Sequence, residues 1–128
     1  MVSNPVKGKF AAFYSRYKFF RIFSYEGILE KEVLVNIPPY QINDVKNLEE
    51  SLYFYYHIVS TEQYIYAYCA SNKEIQVWDW DGNPVFLYSL DKDYFKFTVS
   101  EKHKKIYLTS IEDMDIDKIF VFDLLHLH

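Results

Sequence analysis

The 128-residue chain has little of the chemistry that names an enzyme: one cysteine, three glycines and two methionines. The single thiol, Cys69, excludes an internal disulfide, so no covalent staple holds the fold. Three glycines, Gly8, Gly27 and Gly82, leave no glycine-rich phosphate loop and no dinucleotide fingerprint. No G-x-S-x-G nucleophile elbow is present. No stretch reaches the roughly 18 consecutive apolar residues that suggest a membrane-spanning helix. The first residues, MVSNPVKGKFAAFY, lack the apolar core of a signal peptide. The expectation is a chain with no export signal and no transmembrane segment, either cytoplasmic or a gene fragment that begins mid-fold.

What the chain has in abundance is rings. Half of its residues are hydrophobic and a fifth are aromatic, with thirteen Tyr and eleven Phe. Such residues favour strands over helices. The length suits one domain, residues 1–128, with a sizeable core. The sharpest local signal is IQVWDWDGNPVFLYSL, Ile75 to Leu90. Asp81-Gly82 between two apolar runs predicts a hairpin, because Gly takes positive φ without a Cβ penalty. In the first run Ile75, Val77 and Asp79 alternate with Gln76, Trp78 and Trp80. Large apolar groups on both sides predict a sheet packed on both faces.

Two other stretches resemble that hairpin. In FRIFSYEGILEKEVLV, Phe20 to Val35, aligning Gly27 with Gly82 pairs Ile22 with Val77, Phe23 with Trp78 and Tyr25 with Trp80. In IFVFDL, Ile119 to Leu124, Val121 matches Val77, Phe122 matches Trp78 and Asp123 matches Asp79. The offsets are 55 and 44 residues. Repeats of roughly 40–50 residues, each with several short strands, suggest propeller blades.

Taken in order, Phe10 to Tyr17, Phe19 to Tyr25 and Ile28 to Val35 read as three strands. Pro38-Pro39 then takes the chain out of the sheet, because proline cannot donate to a ladder. Gln41 to Glu50 reads as a polar connection. The next unit reads as four strands: Ser51 to Val59, Gln63 to Ala70, Ile75 to Asp79 and Val85 to Leu90. The last reads as three: Tyr94 to Val99, Lys105 to Ser110 and Lys118 to Leu124. The expected fold is all-β, built of antiparallel meander blades. It forms a partial β-propeller of about two and a half blades, with units near residues 9–36, 51–91 and 94–124. Ten strands are too few to close a ring of the usual four to eight blades. The expectation is either a fragment of a longer propeller or a chain whose copies associate to cover the open ends, because an uncovered blade face would be a large apolar patch.

YIYAYCASNKEIQVWDWDGNPVFLYSLD (Tyr64 to Asp91), FTVSEKHKKIYLTS (Phe97 to Ser110) and KIFVFDL (Lys118 to Leu124) resemble the TolB-like six-bladed β-propeller family. The shared features are a strand ending in an aromatic-Asp pair, a D-G-N-P turn and a later KKIY strand. The resemblance covers residues 10–124 at blade level, and matches C-terminal blades of a longer protein. It implies binding or scaffolding more than catalysis, and a cell-envelope location. This chain lacks the earlier blades and the export signal of that family.

Charge is uneven. Residues 1–31 hold six Lys/Arg and two acids, net +4, whereas residues 32–128 hold eight and sixteen, net −8. The basic aromatic run Lys7 to Arg21 has the composition of a nucleic-acid surface. It reads equally as a pair of strands with charged outward positions, and the acidic total favours that reading, so no nucleic acid is expected.

Candidate site residues are few. Asp113, Asp115 and Asp117 form a D-x-D-x-D loop whose carboxylates suit Ca²⁺, although no glycine makes the turn and Met114 and Ile116 intervene. The alternative is a solvated hairpin tip, and no cofactor is expected beyond a possible Ca²⁺. Asp79 and Asp81 beside Trp78 and Trp80 have the makings of a sugar site, or of a turn and blade-packing element that recurs at Asp123. His126 and His128 can chelate a metal in a strand, or are a frayed tail. His57 reads as a half-buried packing residue, His103 as solvated, and Cys69 as a buried small hydrophobe rather than a nucleophile.

The leading expectation is a non-catalytic propeller-type binding or scaffold module. It would assemble by blade-to-blade packing, with ligand contact through loops such as Pro38 to Lys46 and Glu112 to Lys118. The second is a propeller-type hydrolase or lyase acting on sugars or lactones, with or without Ca²⁺.

Overall fold

A computed structural model describes residues 1–14, 17–35, 55–69, 72–110, 112, 114 and 117–127. Among these residues the regular structure is all β. The eleven strands are β1 (Val2–Asn4), β2 (Lys9–Phe13), β3 (Phe19–Ser24), β4 (Leu29–Leu34), β5 (His57–Ser60), β6 (Tyr64–Cys69), β7 (Glu74–Asp79), β8 (Pro84–Ser89), β9 (Phe97–Ser100), β10 (Lys105–Thr109) and β11 (Ile119–Asp123). They form three open antiparallel meanders: β1-β2-β3-β4, β5-β6-β7-β8 and β9-β10-β11. No helix among the described residues is long and apolar enough to cross a membrane.

The expected pattern of three, four and three strands is corrected to four, four and three. The additional strand is β1, in which Val2 pairs with Ala11 and Asn4 with Lys9. Three further bounds move. Of the run expected as a strand from Ser51, residues 51–54 lie outside the described residues and the described strand is His57–Ser60; Tyr55, just before it, donates its hydroxyl proton to Gln76 Oε1 at 3.0 Å. The run from Tyr94 enters at Phe97. The run from Phe10 leaves its strand at Phe13, not Tyr17. The Pro38-Pro39 break and the Gln41–Glu50 connection lie outside the described residues.

The internal repeat is regular between the first two sheets. Each of β5, β6, β7 and β8 begins 55 residues after its counterpart among β1 to β4. The detail repeats as well. A register shift falls between Ile22 and Phe23 in β3, and between the aligned Val77 and Trp78 in β7. The turn glycines Gly27 and Gly82 have φ of 83° and 85°, and donate N–H to the Ser24 and Asp79 carbonyls. Bulge and left-handed glycine together set the strand twist through each hairpin. The third sheet departs from this spacing: β9, β10 and β11 begin 40, 41 and 45 residues after β5, β6 and β7. The short link from β8 to β9 gives the smaller offset, and the longer β10–β11 connection raises it again at β11.

The second sheet lies between the other two. Ile65, Trp78 and Trp80 pack with Ala11, Phe20, Ile22 and Val33 of the first sheet. On the opposite face Tyr66, Tyr68, Ile75, Val77 and Tyr88 pack with Phe97, Ile106 and Leu108 of the third sheet and with Tyr94 and Leu124 beside it. Burial of both faces is why β6 and β7 read as near-continuous apolar runs rather than as alternating ones. Each large side chain buried there contributes roughly 1.5–3 kcal/mol.

The sheets fan from a common side. β1 lies beside β5, and β5 beside β9. Asn4, 1% exposed, donates Nδ2–H to the Glu62 carbonyl at 2.7 Å and so ties the first sheet to the second. The Phe97 amide donates to His57 Nδ1 at 3.3 Å, joining the second to the third. At the far side β4, β8 and β11 are largely exposed.

Candidate interaction faces and the tail clasp

Because the sheets stack in one direction, each has a face toward the next sheet and a face toward the previous one. Two such faces have no described neighbour. On the first sheet, Ala11, Phe20 and Ile22 point at the second. Alternation then places Phe10, Phe19, Arg21 and Phe23 on the opposite face. There Phe10 stacks on Phe23 with centroids 5.1 Å apart, and Tyr14 stacks on Phe19 at 4.6 Å. The Arg21 guanidinium lies over the Tyr14 and Phe19 rings at 5.3 and 5.4 Å and forms an ion pair with Glu32 at 2.7 Å. The basic run expected at Lys7 to Arg21 thus contributes β2 and the start of β3, and two of its cations are paired: Arg21 with Glu32, and Lys9 with Glu30 and Asp81.

On the third sheet, Ile106 and Leu108 point at the second. Thr98, Tyr107, Thr109, Ile119 and Val121 occupy the opposite face. Ile119 is 60% exposed and Val121 51%. An apolar hollow of about 170 Å³ lies among Thr98, Tyr107, Thr109 and Ile119. Lys105 and Asp123 pair across β10 and β11 at the other end of this face. Asp123 therefore recurs in sequence with Asp79 without sharing its role.

Asp79 itself builds a turn. Its Oδ1 accepts the Asp81 and Asn83 amides, each at 2.9 Å, and its Oδ2 accepts Asn83 Nδ2–H at 3.2 Å. With its oxygens occupied by the turn, and Asp81 turned to solvent, the two carboxylates do not converge on a sugar-sized space. Asp113 and Asp115 lie outside the described residues, as does the Pro38 to Lys46 loop. Asp117, Glu112 and Met114 are exposed. Among the described residues no group of three His, Cys, Asp or Glu is placed to hold a metal ion.

The tail corrects the expectation of a frayed end. His126 is wedged among Tyr64, Tyr66, Phe86 and Tyr88; His128 lies outside the described residues. The hydrogen bonds assign every proton in the cluster. Tyr66 and Thr61 donate their hydroxyl protons to Glu101 Oε1. His126 Nε2–H therefore donates to the Tyr66 oxygen, 3.0 Å away. The Tyr88 hydroxyl donates to Nδ1 and accepts the backbone amides of Leu125, at 2.8 Å, and His126, at 3.3 Å. A proton on Nδ1 would turn this bond into a clash of donors. Burial lowers the His126 pKa below its ordinary value, against the opposing pull of Glu101. The result is a neutral imidazole that clasps the second and third sheets. No sequence pattern marks it, because its partners lie 38 and 60 residues away.

The remaining expectations fall on ordinary packing. His57 is half-buried edge-on to Phe97, its pKa lowered by burial and then by Lys96. His103 is exposed. Cys69 is fully buried, and burial pushes its thiol up, further from the thiolate. No protein-family model matches the chain, and no curated protein is significantly similar to it.

Proposed function

We propose that the chain is a non-catalytic, propeller-type binding or scaffold module that works by packing its sheet faces against further sheets. The observation that carries this reading is the pair of end faces that have no neighbour among the described residues. The same chain twice buries faces of this kind between its own sheets, at the Phe20–Trp78 contact and around Tyr68 and Phe97. An exposed apolar sheet face is the ordinary mark of an interaction surface. The two clusters richest in polar groups, at Asp79 and at His126, serve the turn and the tail. The test is absolute mass by light scattering across a concentration series. Growth of mass with concentration supports the reading, and a monomer up to about 100 µM (well above a micromolar-range Kd) overturns it.

A further inference from the structure

We infer that the segment Leu124 to Leu127 is an acid-released strap. Protonation of the His126 imidazole frees it from the second sheet and uncovers an aromatic surface, while the three sheets stay folded. Three observations carry this device, which is independent of what covers the end faces.

The first is how the segment is held. β11 is tied to β10 by a ladder that runs to Lys105 and Asp123, and the Leu124 amide still donates to the Lys104 carbonyl at 2.9 Å. Beyond that point the attachment changes kind. The Leu125 and His126 amides both donate to one side-chain oxygen, the Tyr88 hydroxyl, and the imidazole bridges Tyr88 and Tyr66. Leu125 is 63% exposed, so its side chain adds little. Two tyrosine hydroxyls and one imidazole thus carry the polar attachment of residues 125 and 126, with no ladder bond among the described residues. Such an attachment opens at lower cost than a sheet, whose loss would uncover the core around Tyr68, Ile75 and Leu108.

The second is what a further proton does to the ring. Nε2–H donates to Tyr66, whose own proton goes to Glu101, so Nδ1 is the acceptor. The Tyr88 hydroxyl supplies the proton to Nδ1, and its oxygen already accepts two amides. A proton on Nδ1 would therefore meet an O–H with its lone pairs engaged. Facing the ring are Tyr64 and Tyr66 of β6, Phe86 and Tyr88 of β8 and, beyond the Tyr66 hydroxyl, Glu101 just after β9. Glu101 favours the charged ring, but its Oε1 takes protons from Tyr66 and Thr61. Burial among the four rings works against the charge and outweighs it. The clasp is at full strength above the ordinary histidine value near 6.5 and loosens as pH falls below it.

The third is what the segment covers. The imidazole centroid lies 5.0 Å from that of Tyr64 and 6.0 Å from that of Phe86. Phe86 belongs to the outermost strand of its sheet and is already partly exposed. Lifting the strap joins Tyr64, Tyr66, Phe86 and Tyr88 into one aromatic surface and frees the Tyr66 and Tyr88 oxygens from His126. The occupant of that surface is the chain's own segment.

The test is amide hydrogen exchange by NMR on the full chain, at about pH 7.5 and about pH 5, with and without sub-denaturing urea. At the higher pH the Leu125 and His126 amides should be less protected than those of Ile106 and Leu108 in β10. Their protection should not respond to urea, because opening the strap exposes little surface. At the lower pH their protection, corrected for the intrinsic exchange rate, should fall by about 3- to 30-fold. The upper end is roughly the ratio for an imidazole that is ordinary when released and stays neutral when clasped. In His126→Phe, which keeps a ring and takes no proton, the Leu125 protection should not change between the two conditions. Near-UV circular dichroism reports whether that variant is folded, and His126→Gln replaces it if it is not. Equal protection and equal urea response in strap and β10 overturn the strap, because the segment then leaves only with the whole chain. A fall of less than about threefold in the wild type, or the same fall in the variant, overturns His126 as its trigger.

Discussion

The Tyr66 hydroxyl and the His126 imidazole, sixty residues apart, meet at 3.0 Å and hold the tail across two sheets. Around them Tyr88, Glu101 and Thr61 leave no donor without an acceptor. Removing one member should therefore cost more than one exposed hydrogen bond. His126→Ala is expected to lose about 2–3 kcal/mol, combining the two side-chain bonds with lost ring packing. Tyr88→Phe keeps the ring and should cost about 1–2 kcal/mol. Urea unfolding midpoints measure both.

The same cluster makes stability depend on pH. His126 and His57 are both held below their ordinary pKa by burial. The released chain then binds protons before the folded one does. Their contribution is full above the ordinary histidine value near 6.5 and declines as pH falls through the lower folded values. Facing His126 are Glu101, Tyr64, Tyr66 and Tyr88. Unfolding free energy should fall as pH drops below about 6.5, and His126→Phe should flatten part of that slope. An unchanged slope in the variant contradicts the assignment.

Gly27 and Gly82 occupy aligned turns with the same φ, yet they answer differently to a methyl group. At Gly27 a Cβ meets nothing within 4 Å. At Gly82 it would lie 2.8 Å from Lys31 Cγ and 2.9 Å from Val33 Cγ2, across the contact between first and second sheets. Gly27→Ala should cost about 1–2 kcal/mol for the left-handed backbone alone. Gly82→Ala adds a steric cost of about 1–3 kcal/mol. Thermal melts of the pair separate backbone strain from sheet packing.

Cys69 should be silent to thiol reagents in the folded chain. It is fully buried beside Ala67 and Tyr55, and its thiol is pushed away from the reactive thiolate. Labelling should proceed only through opening, so its rate should rise with urea in step with unfolding. Fast labelling in native buffer would mean that the Tyr55 side of the core opens locally.

The hairpins were legible because their signals are local. Asp81-Gly82 fixed a turn, and Gly27 fixed its copy 55 residues earlier. Burial of both faces of the middle sheet was legible in Trp78 and Trp80 alternating with Ile75 and Val77. β1 was not, because Val2, Ser3 and Asn4 hold their place through pairing with β2 and through the Asn4–Glu62 bond rather than through periodicity. Tyr55 reads as strand in sequence, since it carries a strand-former's side chain, yet its place is set by the buried Gln76 that its hydroxyl meets. His126 stood in a short polar-apolar tail, and only its distant tyrosines give it a role.

Among the described residues every strand pairs with a neighbour in sequence, and no pairing skips over another strand. Ladder formation thus needs only short loop closures, so each meander can zip in roughly the microseconds of a hairpin. Face-to-face docking is a different event. The middle sheet hides both sides, so it gains little until both neighbours arrive. Refolding should show backbone ellipticity first and the fluorescence of Trp78 and Trp80 later. The slow step belongs to sheets finding one another rather than to strands finding one another.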